Sequence, residues 1–223
     1  RGSNMASLIA AAAERDYPAE IVGVLSDKPD AQGLVYAADK GLPTKVLERR
    51  SFPSKAAHDE AITAALTGFG AEIVALAGYM RLLTPAFVER WSGRLVNIHP
   101  ALLPAFRGLD THQRALDAGV RIHGCTVHFV TEAMDEGPII AQAAVPVLAE
   151  DGAGQLAARV LKAEHRLYPM ALAMVASGQA TLRDGRTVHA GFRDAQADQP
   201  GGLMAPLPLA VPQDLEHLAR FTP

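Results

Sequence analysis

The stretch "LVNIHPALLPAFRG", Leu95–Gly108, begins as a buried strand and ends in polar chemistry. Side chains alternate along a strand, so Asn97 and His99 should project to the same side of a sheet. Pro100 and Pro104 then stiffen the chain that leaves it. An amide and an imidazole side by side at a strand end can both donate hydrogen bonds to a developing oxyanion. Taken alone, the pair reads equally well as polar groups that satisfy the following loop.

Working outward, the order of segments is that of an α/β protein. Residues 3–16, "SNMASLIAAAAERD", read as a helix opened by a Ser3 or Asn4 cap. "EIVGVLSD", "TKVLE" and "EIVALAGYM" are strand-length apolar runs, and "PSKAAHDEAITAALTGFG" between them is an amphipathic helix with a glycine end. A short helix from Pro85 to Trp91 precedes the opening strand, and "THQRALDAG" follows it as another. Beyond lie two strands, "HGCTVHFV" and "GPIIAQAAVPV", then a helix over 154–177 that Pro169 should kink or divide. "TLRDGRTV" reads as a hairpin around Asp184-Gly185. Residues 198–212 carry too much proline and glycine for regular structure, so extended coil with a short terminal helix is expected. Strands alternating with helices predict a mostly parallel, Rossmann-like sheet with helices on both faces and ligands beyond the carboxyl ends of its strands. That is where Asn97 and His99 would stand.

Composition narrows the partners. The 223 residues are 49% hydrophobic and 20% charged, with a net charge of −3. This balance offers nucleic acid and membrane surfaces no basic footprint, so small molecules are the expected partners. Cys125 is the single cysteine, which rules out an intrachain disulfide and suits a reducing, cytoplasmic setting. No leader and no apolar run near the roughly 20 residues of a membrane span is visible.

Three other places could join the strand-end pair. "RGSNM", Arg1–Met5, puts a glycine turn ahead of a helix, where free N–H groups and the helix dipole suit a phosphate; an ordinary helix cap has the same look. Asp135 in "TEAMDEGPI" sits in an acidic turn, where a carboxylate can hold a histidine protonated or position a water, or simply be solvated. Glu164 in "AEHRLYP" lies in the last long helix, as a ligand contact or as a surface charge. The histidines have no metal-site spacing, so no metal is expected. Cys125 in a strand reads as core packing, and no covalent nucleophile is expected.

"VNIHPALLPAFRGLDTHQRAL", "HGCTVHFVTEAMDEGPIIAQAAVPV" and "ARVLKAEHRLYP", with "GSN" before a helix and "LAGYMRLL", together resemble the folate-dependent formyltransferases. Within them they are most similar to the phosphoribosylglycinamide (glycinamide ribonucleotide) formyltransferases of purine synthesis. The resemblance runs from Arg1 to about Gly178. It implies a formyltransferase fold in one domain over 1–190, with a nucleotide half to about 96, a folate and catalytic half from about 97, and an extended tail over 191–223. It implies 10-formyltetrahydrofolate as co-substrate and a monomer or homodimer. Asn97, His99 and Asp135 look like the catalytic trio. Gly2, Ser3, Asn4, Met5 and Ala6 look like the phosphate cradle, and Glu164 like a second contact to glycinamide ribonucleotide. Met80, Arg81, Leu82 and Leu83, with Asn97 and the loop Thr131, Glu132, Ala133, Met134 and Asp135, would line the folate pocket. Lys55 stands where relatives often carry an arginine near the folate, and Asp110 replaces a histidine of some relatives. Relatives place a hydrophobic strand ahead of the glycine turn, so the resemblance implies one before Arg1. A formyltetrahydrofolate hydrolase is the nearest alternative, ahead of a methionyl-tRNA formyltransferase or a silent binding protein.

Overall fold

The computed structural model describes residues 2–191 and the pair 204–205. Helix α1 (Ser3–Ala12) leads to β1 (Val24–Ser26), α2 (Gln32–Asp39), β2 (Thr44–Val46), α3 (Lys55–Gly68), β3 (Val74–Leu76), α4 (Pro85–Arg90) and β4 (Leu95–His99). The chain continues through α5 (Thr111–Asp117), β5 (Ile122–Phe129), β6 (Ile139–Pro146), α6 (Ala153–Ala176), β7 (Ala180–Arg183), β8 (Arg186–His189) and β9 (Met204–Ala205). The α/β reading therefore holds.

Strand direction divides at β4. β1 pairs with β2 and β3 with β4 in parallel, which is the Rossmann-like part. β5, β6 and β9 then add on in antiparallel fashion to complete the sheet β3-β4-β5-β6-β9. β5 and β6 are joined by a loop too short to carry a crossover helix, so they must run in opposite directions. The pairing sets Asn97 opposite His128 and His99 opposite Thr126. A shift in register at Val127/His128 leaves Ile140 of β6 without a partner, a bulge beside the site.

The main core lies between this sheet and α1, α5 and α6. Val96, Cys125, Val127, Phe129, Ile140, Leu156, Val160 and Tyr168 are all buried in it. Cys125 is packing, as expected, and burial pushes its thiol up to about 12. α6 runs unbroken through Pro169, so the expected division does not occur. Proline removes a single donor there, and buried Leu167, Tyr168, Ala171 and Leu172 hold the turns on either side. The Pro169 carbonyl also accepts a 2.7 Å hydrogen bond from Tyr17. The hairpin at Asp184-Gly185 forms as read, with both residues at positive φ (49° and 71°), as a two-residue turn of this kind requires. Of the expected coil over 198–212, Met204–Ala205 pair with β6 as a strand; the rest, and the terminal helix, lie outside the described residues.

One tyrosine ties the long helix to the strands that carry the site. Tyr168 Oη donates to the Leu76 carbonyl at 2.8 Å and lies 3.3 Å from that of Val96. These carbonyls belong to β3 and β4, one residue or less from the Asn97 row. Tyr168→Phe is expected to lower the unfolding free energy by about 1–3 kcal/mol, since a buried acceptor loses its donor. Equilibrium denaturation with an unchanged midpoint would show that the hydroxyl contributes nothing.

Candidate active site

The strand-end pair sits where two loops meet. His99 is 5% exposed, and its Nδ1 lies 3.4 Å from Asp135 Oδ2. Its other nitrogen, Nε2, is 3.0 Å from the Phe106 carbonyl. A carbonyl only accepts, so Nε2 carries a proton and the Nδ1 edge is left facing the carboxylate. The Asp135 carboxylate in turn accepts from the Gly108 amide at 2.9 Å. Residues 36 apart in sequence, His99 and Asp135, thus share one small volume with the loop after β4.

That loop is fastened from below. Thr126 Oγ1 donates to the Ala101 carbonyl (2.7 Å) and accepts from the Leu103 amide (3.0 Å). Gln142 Nε2 bonds both the Leu103 carbonyl (2.9 Å) and Thr126 Oγ1 (3.0 Å). Thr111 Oγ1 donates to the Pro100 carbonyl at 2.7 Å. Farther along, Arg114 Nη1 donates to the Arg107 carbonyl at 2.6 Å and the Leu109 carbonyl at 3.3 Å. Arg107 pairs with Glu136, joining this loop to that of Asp135. Phe106, Asp110 and Asp135 all adopt positive φ, between 54° and 55°. Such conformations cost on the order of 1 kcal/mol or more each for residues with a Cβ and persist only where contacts impose them. Here the contacts named above impose them, and two of the three residues aim groups at His99.

Asn97, on the same side of β4 as His99, is half-buried. Its Nδ2 lies 3.4 Å from His128 Nε2, and His128 Nδ1 is 2.8 Å from the Phe129 carbonyl. Burial lowers the His128 pKa below the ordinary imidazole value, against smaller raising effects from the Phe129 carbonyl and Asp135. His123 lies in other surroundings, against the rings of Phe106 and His112, and burial lowers its pKa to about 4.

The first turn of α1 forms the second part. Its cap differs from the sequence reading: Gly2, with φ 68°, is the N-cap, and no side chain caps the helix. Ser3 and Asn4 are already helical, and Asn4 is turned away to donate from Nδ2 to Glu164 Oε2 at 2.6 Å. The early N–H groups of the helix are consequently left for a ligand or for water. Gly2 is needed here twice over, because a Cβ would lie 3.1 Å from the Gly33 Cα and the left-handed φ disfavours one. Met5 and Ala6 continue this turn, half-buried. Glu164 is 7% exposed rather than a surface charge, and burial raises its pKa, partly offset by the Asn4 bond. Asn4 Oδ1, also buried, finds no partner among the described residues.

The remaining site candidates fall on two loops. Met80 and Leu82 are exposed (74% and 63%), whereas Leu83 packs on the second core cluster with Val74, Phe87 and Trp91. Arg81 is held at 2.5 Å from Asp27, at the end of β1. The loop's end is fixed where the Thr84 amide donates to buried Asp59 at 2.7 Å. Lys55 opens α3, one turn before Asp59, and the structure shows it no closer tie to the loop. In the other loop, Thr131, Glu132, Ala133 and Met134 precede Asp135; Met134 is exposed and reaches within 3.8 Å of where a Gly108 Cβ would be.

A model of the formyl transferase family matches residues 1–172. The chain belongs to the formyl transferase family. Among curated relatives, a phosphoribosylglycinamide formyltransferase of Escherichia coli is 40% identical over 204 residues, covering 92% of this chain and 94% of that protein. A trifunctional purine biosynthetic protein of Bos taurus is 47% identical over 181 residues, or 81% of this chain. The chain spans only 18% of the length of that relative. In solved structures, the fold matches a phosphoribosylglycinamide formyltransferase from Brucella melitensis, 60% identical, with a TM-score of 0.76 over 79% of this chain and 91% of the other. A formyltetrahydrofolate deformylase from Burkholderia mallei is 32% identical, with a TM-score of 0.77, and the match covers 66% of it. No helix among the described residues of this formyl transferase is long and apolar enough to cross a membrane.

His128, Thr126, Phe106 and Gly108 were not among the residues singled out from sequence. Only the pairing of β4 with β5 brings the first two beneath the site, and only loop geometry brings in the others.

Proposed function

We propose that this formyl transferase moves a formyl group from 10-formyltetrahydrofolate to the primary amine of glycinamide ribonucleotide, a step of purine synthesis. The observation that carries the reading is the His99–Asp135 pair at the end of β4 with Asn97 beside it. The near full-length relative of that name supports it. The amine attacks the formyl carbon, a C–N bond forms and the carbonyl oxygen takes up negative charge. Asn97 donates to that oxygen, and so does Nδ1 of His99 in its imidazolium form, the state in which Nδ1 carries a proton while Nε2 keeps its bond to the Phe106 carbonyl. The bond from carbon to the folate nitrogen then breaks, and the proton lost by the amine passes to that leaving nitrogen. Asp135, or a water it holds, relays it.

The first turn of α1 holds the phosphate through the free N–H groups of Ser3, Asn4 and Met5 that follow Gly2, while the Ala6 N–H closes the turn on the Gly2 carbonyl at 2.9 Å. Glu164 accepts a hydrogen bond from the body of the same substrate, and the unpartnered Asn4 Oδ1 offers a second acceptor beside it. The folate lies against the backbone of Met80, Arg81, Leu82 and Leu83 and the loop Thr131–Asp135, with Lys55 toward its acidic end. The exposed apolar side chains of Met80, Leu82 and Met134 give a flat ring system surface to cover.

The deciding assay follows loss of 10-formyltetrahydrofolate with and without glycinamide ribonucleotide. Amine-dependent loss is expected. Loss at the same rate without the amine would make the chain a hydrolase, and no loss would make it a binding protein. Glu164→Ala is expected to raise KM for glycinamide ribonucleotide by roughly 10-fold to 10²-fold, the scale of one hydrogen bond to a charged group, with KM for the folate unchanged. Equal rises in both KM values would remove Glu164 from the substrate contact.

A further inference from the structure

We propose that His128 is a positioning residue for this reaction: its unprotonated Nε2 accepts a hydrogen bond from Asn97 Nδ2 and fixes which end of that carboxamide faces the reacting carbon. The proposal rests on Asn97 being an oxyanion donor, as above.

The two ends of a carboxamide are nearly equal in size and opposite in effect. An N–H aimed at the oxyanion stabilises it, and a carbonyl oxygen in the same place repels it. Packing alone barely distinguishes the two orientations, so a neighbour with a defined donor or acceptor has to choose. His128 is that neighbour, directly opposite Asn97 in the antiparallel pair. Its own state follows from its other contact. The Phe129 carbonyl, 2.8 Å from Nδ1, can only accept, so Nδ1 carries the proton. At 2% exposure the ring is held neutral by burial, with Asp135 favouring charge and His99 opposing it. Nε2 is then a lone pair 3.4 Å from Asn97 Nδ2. It attracts the NH₂ end and repels Oδ1.

The surroundings are shaped to keep this tautomer. Ile140 bulges out of β6 beside His128. Gly137 passes so close that a Cβ there would lie 1.7 Å from the Phe129 carbonyl oxygen and 3.1 Å from His128 Nδ1. A larger residue would displace the acceptor that orients the ring.

The test is a double-mutant cycle with Asn97→Ala, His128→Leu and the two combined, together with His128→Gln. His128→Leu is expected to lower kcat by roughly 10-fold to 10²-fold, the effect of a misplaced catalytic group, with KM for both substrates retained. His128→Gln, whose carbonyl oxygen can accept from Asn97, is expected to recover most of that loss. In the Asn97→Ala background His128→Leu should cost nothing further, because it acts only through the missing amide. Losses that multiply, or full turnover in His128→Leu beside a crippled Asn97→Ala, would overturn the proposal alone. Full turnover in Asn97→Ala would overturn the role of Asn97 and this proposal with it. Independently of any variant's folding, long-range ¹H–¹⁵N spectra of the wild-type imidazoles should show His128 as the neutral Nδ1–H form at neutral pH. An Nε2–H tautomer or an imidazolium would overturn it.

Discussion

Asn97→Ala and His99→Ala should each lower kcat by roughly 10²–10³-fold, the usual loss when one donor to a developing oxyanion is removed. What matters is where charge appears. Neither ground-state substrate bears the tetrahedral oxygen, so both side chains contribute mainly in the transition state and KM should change little. The two variants should differ in stability. Asn97 is half-buried with a single long contact, at 3.4 Å, and its truncation should leave the thermal midpoint nearly unchanged. His99 is 5% exposed and bonds the Phe106 carbonyl at 3.0 Å. Its loss frees a loop whose φ of 54° at Phe106 needs an anchor, so the midpoint should fall as well. Steady-state kinetics with a thermal scan on each variant separates the two effects. Turnover within a few-fold of wild type in Asn97→Ala, with its fold intact, would remove the amide from the mechanism.

What could be read from sequence follows from the range of the interactions involved. The Asn97–His99 pair was legible because alternation along one strand is a local rule, and the position of a strand end in an α/β chain follows from element order. The hairpin at Asp184-Gly185 was legible for the same reason. The cap of α1 was not, since Ser3 and Asn4 are both good capping residues. The choice was made by Glu164, 160 residues away, which takes the Asn4 amide and draws it into the helix. His128 was hidden because its meaning depends on an antiparallel register that alternating strands and helices do not announce. At Pro169 the expected division does not occur, because the packing of Tyr168 and its neighbours outweighs one missing donor. The convergence of Asp135 on His99 came from the resemblance to a family and could not have come from spacing, because 35 residues of two loops, a helix and a strand lie between them.

Removing the phosphate from glycinamide ribonucleotide is expected to lower kcat/KM by roughly 10²–10⁴-fold, although the phosphate does not touch the formyl carbon. Two N–H groups of a helix start bonding a dianion are worth about 3–6 kcal/mol together on the scale of hydrogen bonds to charged groups, and each 1.36 kcal/mol is about tenfold in rate. Part of that energy should appear in kcat, because binding remote from the reacting atoms holds the amine in line with the carbon it attacks. The cradle of this chain suits an anion, since α1 has no side-chain cap and no acidic residue in its first turn. Among the described residues, no side chain of that first turn therefore occupies its N–H groups or brings a negative charge of its own. Gly2 gives the control. Gly2→Ala forces a Cβ into a left-handed φ of 68° and to 3.1 Å from the Gly33 Cα, which should rotate the first turn off its target. In that variant the advantage of the phosphorylated substrate over the phosphate-free one should shrink, while turnover of the phosphate-free substrate stays close to that of wild type. Measuring kcat/KM for both substrates with both proteins decides the matter. An undiminished phosphate advantage in Gly2→Ala would place the anion elsewhere, and equal efficiency of the two substrates with wild-type protein would dismiss the helix start as an anchor altogether.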